Sequence, residues 1–350
     1  MLDTLGEANT AALVGLIGGI ALGLAARIGR FCTLGAIEDV LYSSDDRRMR
    51  MWGLAIGTAI IGAHLAMSTG YLVGAETAYL DRVWNPLATV VGGLIFGYGM
   101  ALAGNCGYGA LARLGGGDLR SFVIVLVMGL SAYVVMSGPL AHARVWLFPV
   151  ELQAETPQGF SQLGAGWGVA PWITGMVMGL ALLAVSLGSR EMRRSWSHII
   201  WGVVVGLAVV SGWVGTYWIA SNGFGNEPIE THTFAAPIGD TIFYAMTASG
   251  NTLSFSVGSV VGVVIGACLG SYSKGHFRWE ACEDPRELRR QIFGACLMGT
   301  GAILAVGCSV GQGLSAFSVL AFSAPVAFVS IFAGAAFGLR QLISGFAIAN

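Results

Sequence analysis

From Gln291 to Leu339 the chain runs 49 residues without an Asp, Glu, Lys or Arg. One membrane crossing takes roughly 20 apolar residues, so this stretch is too long for one span and leaves no conventional loop between two. A helix that breaks inside the membrane, around Gly307 to Gly313, resolves the conflict. Irregular backbone survives at that depth only where protein or a water-filled cavity encloses it, because an unsatisfied peptide group in hydrocarbon costs several kcal/mol. Composition agrees: 55% of residues are hydrophobic and 11% charged, against about 25% charged in soluble domains. A net charge of −1, with no basic patch interleaved with aromatics, removes the argument for a nucleic-acid partner.

Uncharged runs supply about nine spans: Ala11 to Gly29, Met51 to Val73, Trp84 to Asn105, Ser121 to Ala143, Trp167 to Gly188, Ser197 to Ala220, Asn251 to Ser273, Gln291 to Gly307 and Ala324 to Phe346. The expected class is an all-α polytopic membrane protein with about nine transmembrane helices plus short broken or re-entrant helices. The acidic opening MLDTLGEANT lacks the positive n-region of a signal peptide, so the first run is expected to be a retained span. Basic loops at Arg47 to Arg50, Arg190 to Arg194 and Lys274 to Arg290 belong on the cytoplasmic side, with Arg113 and Arg120. Acidic loops at Glu76 and Asp81, Glu151 and Glu155, and Glu227 and Glu230 fall on the other side. The N-terminus is then outside and the C-terminus cytoplasmic. Trp52, Trp84, Trp146, Trp167 and Trp201 are expected in the interfacial belt.

The broken segment GTGAILAVGCSVGQG at Gly299 to Gly313 has an earlier echo, GYGMALAGNCGYG at Gly97 to Gly109. A constant offset of 202 residues pairs Gly92 with Gly294, Gly97 with Gly299, Gly99 with Gly301, Leu102 with Leu304, Ala103 with Ala305, Cys106 with Cys308 and Gly109 with Gly311. Glycine is abundant, but a cysteine matched together with its flanking glycines is harder to obtain from composition alone. With the loop charges, this predicts two inverted repeats: residues 1–150 with spans one to four, and residues 196–350 with spans six to nine. A linking span within 151–195 joins them. Inverted repeats with broken helices carry their substrate site at the repeat interface in transporters.

The chemistry then falls to the cysteines. Cys32, Cys106 and Cys308 each open a C-x-x-G pattern directly after a polar or glycine interruption, where a helix stops and restarts. A restarting helix presents backbone N–H groups and a positive dipole end to an anion, and a thiol adds a weak polarizable donor. The combination suits a sulfur-containing oxyanion better than phosphate, for which Arg or Lys would be expected. The competing reading is that buried cysteines are small core hydrophobes, and Cys268 and Cys296 are assigned to packing. Cys282 lies in a polar loop. No second Cys or His stands at ligand spacing for a metal, and no cofactor is expected. The candidate substrate-contacting set is Cys32, Cys106 and Cys308 with Asn105, Gly107, Gly109, Ser309, Gly311, Gln312 and Arg30. Gln312 beside Cys308 offers an amide donor, and Asn105 beside Cys106 is its rough counterpart. Arg27 and Arg30 either draw an anion or snorkel to the interface. Glu38 and Asp39 are expected to cap or pair with arginine, and His64 to relay protons or simply to pack.

The motifs GRFCTLGA at Gly29 to Ala36, GYGMALAGNCGYG at Gly97 to Gly109 and GAILAVGCSVGQGLS at Gly301 to Ser315 resemble those of the YeeE/YedE family of sulfur transporters. The resemblance spans nearly the whole chain. It implies import of thiosulfate across the bacterial inner membrane, the ion passing along thiols between the repeats, with Cys32, Cys106 and Cys308 at the motif positions. A further cysteine of some members has no counterpart here. The resemblance also implies a small cytoplasmic sulfur-carrier partner, and leaves the choice among sulfur and selenium anions open. Two rival classes remain: a membrane thiol enzyme that cleaves an S–S bond and carries persulfide, and a structural membrane subunit. The enzyme needs a base beside its nucleophile, and no His or Lys adjoins these cysteines in sequence.

Overall fold

The computed structural model describes residues 2–149, 156–165, 168–224, 227–281 and 284–345. Glu151, Glu155, Trp167, Cys282 and Phe346, named above, lie outside the described residues. The described residues form helices and no strand. The principal ones are α1 (Glu7–Arg27), α2 (Thr33–Glu38), α3 (Arg47–Ser68), α4 (Pro86–Ala103), α5 (Gly107–Gly115), α6 (Leu119–Met136), α7 (Pro171–Leu187), α8 (Trp196–Asn222), α9 (Ala236–Thr247), α10 (Phe255–Ser273), α11 (Pro285–Leu304) and α12 (Ser323–Ser344). A π-helical turn, Gly311–Ala316, lies between α11 and α12.

Local sequence sets the starts. Proline at N1 fits the first helical turn, and Asn85 before Pro86 accepts from the Ala88 N–H at 3.1 Å while Asp284 before Pro285 accepts from Arg286 N–H at 2.8 Å. Seven segments among the described residues are long and apolar enough to cross a membrane: α1, α3, α4 continued by α5, α6, α8, α10 and α12. The protein is a multi-pass membrane protein. The other two expected spans are weaker as helices. α7 has 17 residues, and α11 opens with the charged turn PRELRR, which leaves a short apolar remainder.

Small residues let backbones meet. Gly15, Gly19 and Gly23 of α1 lie against Phe255, Ser259 and Val263 of α10, rising together, so these helices run parallel. Gly202 and Gly206 of α8 meet Met51 and Ala55 of α3 in the same sense. Gly92 and Gly99 of α4 meet Gly301 and Gly294 of α11 in opposite sense, so α4 and α11 are antiparallel. The contacts repeat as a set: α1 on α10 and α8 on α3, α11 on α6 and α4 on α12, α5 on α10 and the π turn on α3.

Three expectations change. Trp52 is 2% exposed and stacks on Phe31 with ring centroids 4.6 Å apart, inside the core rather than at the interface, because the α2 break carries Phe31 across it. Cys268 is exposed rather than packed, since α10 turns its Gly258, Gly262 and Gly266 stripe to α1 and places Cys268 off that face. The segment with Glu230 folds inward instead of forming a solvated loop: Glu230 N–H donates to Thr216 Oγ1 at 3.2 Å and Thr231 Oγ1 donates to the Val209 carbonyl at 2.7 Å.

Candidate functional site

Each of the three singled-out cysteines stands at a helix break. α1 ends at Arg27, Arg30 adopts φ 55°, and Cys32 is the N-cap of α2. α4 ends at Ala103, Gly104 turns at φ 77°, and Cys106 caps α5. α11 ends at Leu304, Val306 adopts φ 55° and Gly307 φ 152°, and Cys308 leads into the π turn. A β-branched residue at positive φ is an outlier and costs on the order of 1–3 kcal/mol. Gln312 holds this break together: its Nε2 donates to the Ala305 and Val306 carbonyls at 2.8 and 3.0 Å, and its Oε1 accepts from Ser323 Oγ at 3.0 Å. π-helical turns of this kind are frequent at functional sites.

The two buried thiols are held alike. Cys106 Sγ accepts from Gly109 N–H at 3.4 Å, and Cys308 Sγ accepts from Gly311 N–H at 3.5 Å. Cys308 also accepts from Phe234 N–H at 3.4 Å, with Thr233 Oγ1 at 3.7 Å. The inward segment is clamped there by Ser315 Oγ, which donates to the His232 carbonyl at 2.7 Å. At the 202-residue offset, Phe234 corresponds to Cys32. Cys106 and Cys308 lie in one buried core with Cys32 packed against it, and the Tyr108 ring sits between the rings of Phe31 and Phe234, 6.4 and 5.3 Å away. The three thiols therefore form one cluster. Backbone N–H groups fill the acceptor side of both buried sulfurs, which leaves each S–H proton for another acceptor.

The remaining candidates divide. Asn105 is 1% exposed and neither its Nδ2 nor its Oδ1 has a hydrogen-bond partner; the Ser309 hydroxyl is likewise buried and unpartnered. A buried amide left unpaired costs roughly 1–3 kcal/mol, and Asn105 thus keeps hydrogen-bonding capacity that Gln312 has already spent. Gly107, Gly109 and Gly311 are backbone positions of the restarting helices; a side chain at Gly311 would strike Thr233 and the Tyr79 hydroxyl. Asp39 pairs with Arg48 at 3.1 Å. His64 is buried, its Nδ1 set 2.9 Å from the Ile60 carbonyl, and it lies apart from the thiols on α3 against Gly175 of α7. Reasoning from cysteines missed Thr233 and Phe234, which carry no cysteine; the faint match of Glu38 to Asp240 and of Tyr42 to Tyr244 at the same offset was the available signal.

Two cavities flank the cluster at opposite ends of the helices. One, about 420 Å³, is lined by Arg27, Arg30, Cys32, Arg48, Asn105 and Arg113 among others, at the end where α3 begins. The other, about 90 Å³, is lined by Tyr79, Arg82, Arg144, Val306 and Gln312 among others, at the end where α4 begins. Buried thiols between two end cavities match a permeation route better than a surface site.

A model of the sulphur transport family matches residues 28–337. The chain belongs to the sulphur transport family. The thiosulfate transporter TsuA of Spirochaeta thermophila is 27% identical to this sulphur transport protein over 331 residues, covering 91% of the chain and 96% of that relative. The thiosulfate transporter TsuA of Escherichia coli K12 is 24% identical, covering 86% of each. These matches agree with the YeeE/YedE resemblance carried by the three motifs. The matched span of the sulphur transport model takes in Cys32, Cys106 and Cys308, both cavities' thiol-side walls and the inward segment at Thr233.

Proposed function

We propose that this protein imports thiosulfate across the inner membrane through a narrow path between two inverted repeats, residues 1–150 and 196–350, joined by the linker 151–195. The antiparallel seam of α4 and α11, the two helices matched by the 202-residue offset, supports the inversion. An axis relating antiparallel helices lies across them, in the membrane plane. Loop charge orients the assembly with the N-terminus outside and the C-terminus in the cytoplasm. The anion enters from the cavity of Arg82 and Arg144, meets Cys308, and passes to Cys106 and Cys32 by exchanging S–H hydrogen bonds. Arg30 stands at the exit.

The observation that carries this reading is the thiol cluster, whose two buried sulfurs, Cys106 and Cys308, already accept backbone N–H bonds and so keep their protons to donate. Protonated thiols suit a dianion, which a thiolate would repel. The relatives named as thiosulfate transporters support the choice of anion.

The test is uptake of labelled thiosulfate into proteoliposomes, competed by sulfate, sulfite and selenite. Saturable uptake competed most weakly by sulfate is expected. No uptake by purified, inserted protein refutes the reading, and a persulfide on Cys106 or Cys308 found by mass spectrometry during turnover replaces it with S–S cleavage.

A further inference from the structure

The larger cavity does more than end a path. Arg27, Arg30, Arg48, Arg113 and Lys274 all line it, and no carboxylate does among the described residues. Three of these cations are already tied down: Arg27 Nε donates to Ser271 Oγ at 2.7 Å, Arg48 pairs with Asp39, and Arg113 donates to the Gly104 carbonyl at 3.3 Å. Arg30 and Lys274 make no ion pair among the described residues. At the thiol end of the same cavity sits Asn105, 1% exposed, with both ends of its amide unpartnered. Cavity, uncompensated positive charge and an unsatisfied buried donor are three independent features, and one ligand satisfies them all.

We propose that this cavity is a second anion-binding site, which holds a small divalent sulfur oxyanion between the Asn105 amide and the Arg30 and Lys274 charges. Carboxylate-free walls exclude cations, and a low-dielectric pocket with focused positive charge concentrates anions. Asn105 adds geometry, because its Nδ2 gives two directed donors where a cation gives charge alone. An anion resting here occupies the place into which the next one must be released, so sulfur oxyanions that accumulate on this side slow further import. That the ligand is a sulfur oxyanion rests on the transport reading; that the cavity binds a divalent anion does not.

Cys32 reports on occupancy, since it is half-buried and lines the cavity. The protein in nanodiscs is treated with a membrane-impermeant maleimide, and mass spectrometry follows the Cys32 peptide with sulfate as the probe against chloride of matched ionic strength. Each rate is normalised to that of the same variant without sulfate. Saturable slowing by sulfate alone is expected, and Asn105→Asp and Lys274→Gln should each raise the half-protecting sulfate concentration about tenfold, the scale of one charge-assisted hydrogen bond. If Asn105→Asp fails to fold, Lys274→Gln at the cavity rim decides alone. Equal slowing by chloride, no slowing, or an unchanged half-protecting concentration in the folded variants overturns the proposal. Thiosulfate uptake is measured in parallel. Protection with no uptake sinks the transport reading and leaves the site standing, and uptake with no protection sinks the site alone.

Discussion

The Cys106 and Cys308 half-sites share a sequence motif and differ in what surrounds it. At Cys308 the groups that shape the break are engaged: Gln312 closes it, Phe234 N–H and Gly311 N–H bind the sulfur, and Ser315 anchors the inward segment. At Cys106 the break needs less, because Gly104 takes the positive φ without strain and Arg113 caps its carbonyl. Asn105 is left over. Position by position Asn105 corresponds to Gly307 and Gln312 to Ala110, so two residues that look like counterparts arise at different places and act differently. One half-site spends its amide on its own backbone, and the other leaves an amide unpaired. Two copies of a motif need not divide function equally.

The largest effect is expected at the sulfurs. Cys106→Ala and Cys308→Ala should each cut thiosulfate uptake by about a hundredfold or more, the scale of removing one positioned donor, with protein still inserted. Undiminished uptake in both would end the relay. The seam shared by the halves is next: a side chain at Gly99 would strike the Gly294 carbonyl and Met298 N–H on α11. Gly99→Val should therefore destabilise the protein by about 1–3 kcal/mol, read as a lowered melting temperature in detergent. Gln312→Ala and Asn105→Ala then sharpen the contrast. The first should lose about 1–3 kcal/mol of stability, having freed two buried carbonyls, while the second should leave the melting temperature unchanged or raised and alter transport instead. A similar loss of stability in both would make the two half-sites equivalent.

The smallest effect concerns pH. Burial pushes the Glu230 carboxyl up to about 7, with Ser256 Oγ 3.4 Å from its Oε2 and no cation paired with it among the described residues. The folded protein therefore binds this proton more tightly than the unfolded chain, where the group titrates near its ordinary value of 4.5. Stability that is complete below about 4.5 is lost as pH rises through about 7. Melting temperatures of wild type and Glu230→Gln across that window should diverge, the wild type falling and the variant staying level. The Cys308 side should feel this first, because Glu230 lies on the segment that brings Phe234 N–H to the sulfur.

Much of the architecture was legible because membrane folding writes its rules in composition. Charge-free runs marked most of the spans, and Gly104, Gly307 and Arg30 marked the breaks before each thiol. The inward segment from Glu230 to Phe234 was not legible, since its polar sequence GNEPIETHTF reads as a loop. Its burial depends on Thr216, Val209 and Ser315, which lie 14, 22 and 83 residues from the groups they bind. Trp52 was misplaced for the same reason: a tryptophan near a span end belongs at the interface unless a neighbouring break brings Phe31 over it.

By itself the sequence determined that the chain lives in a bilayer, that its helices break beside Cys32, Cys106 and Cys308, and that two of these breaks share a cysteine–glycine motif. Those are local properties, carried by hydropathy, backbone freedom and repetition along the chain. Only the tertiary structure decided which amide is spent and which is free, which residue stands in the place of Cys32 opposite Cys308, and where the positive charges gather. Hydrogen-bond satisfaction is a property of neighbours in space, and those neighbours come from helices far apart in the chain.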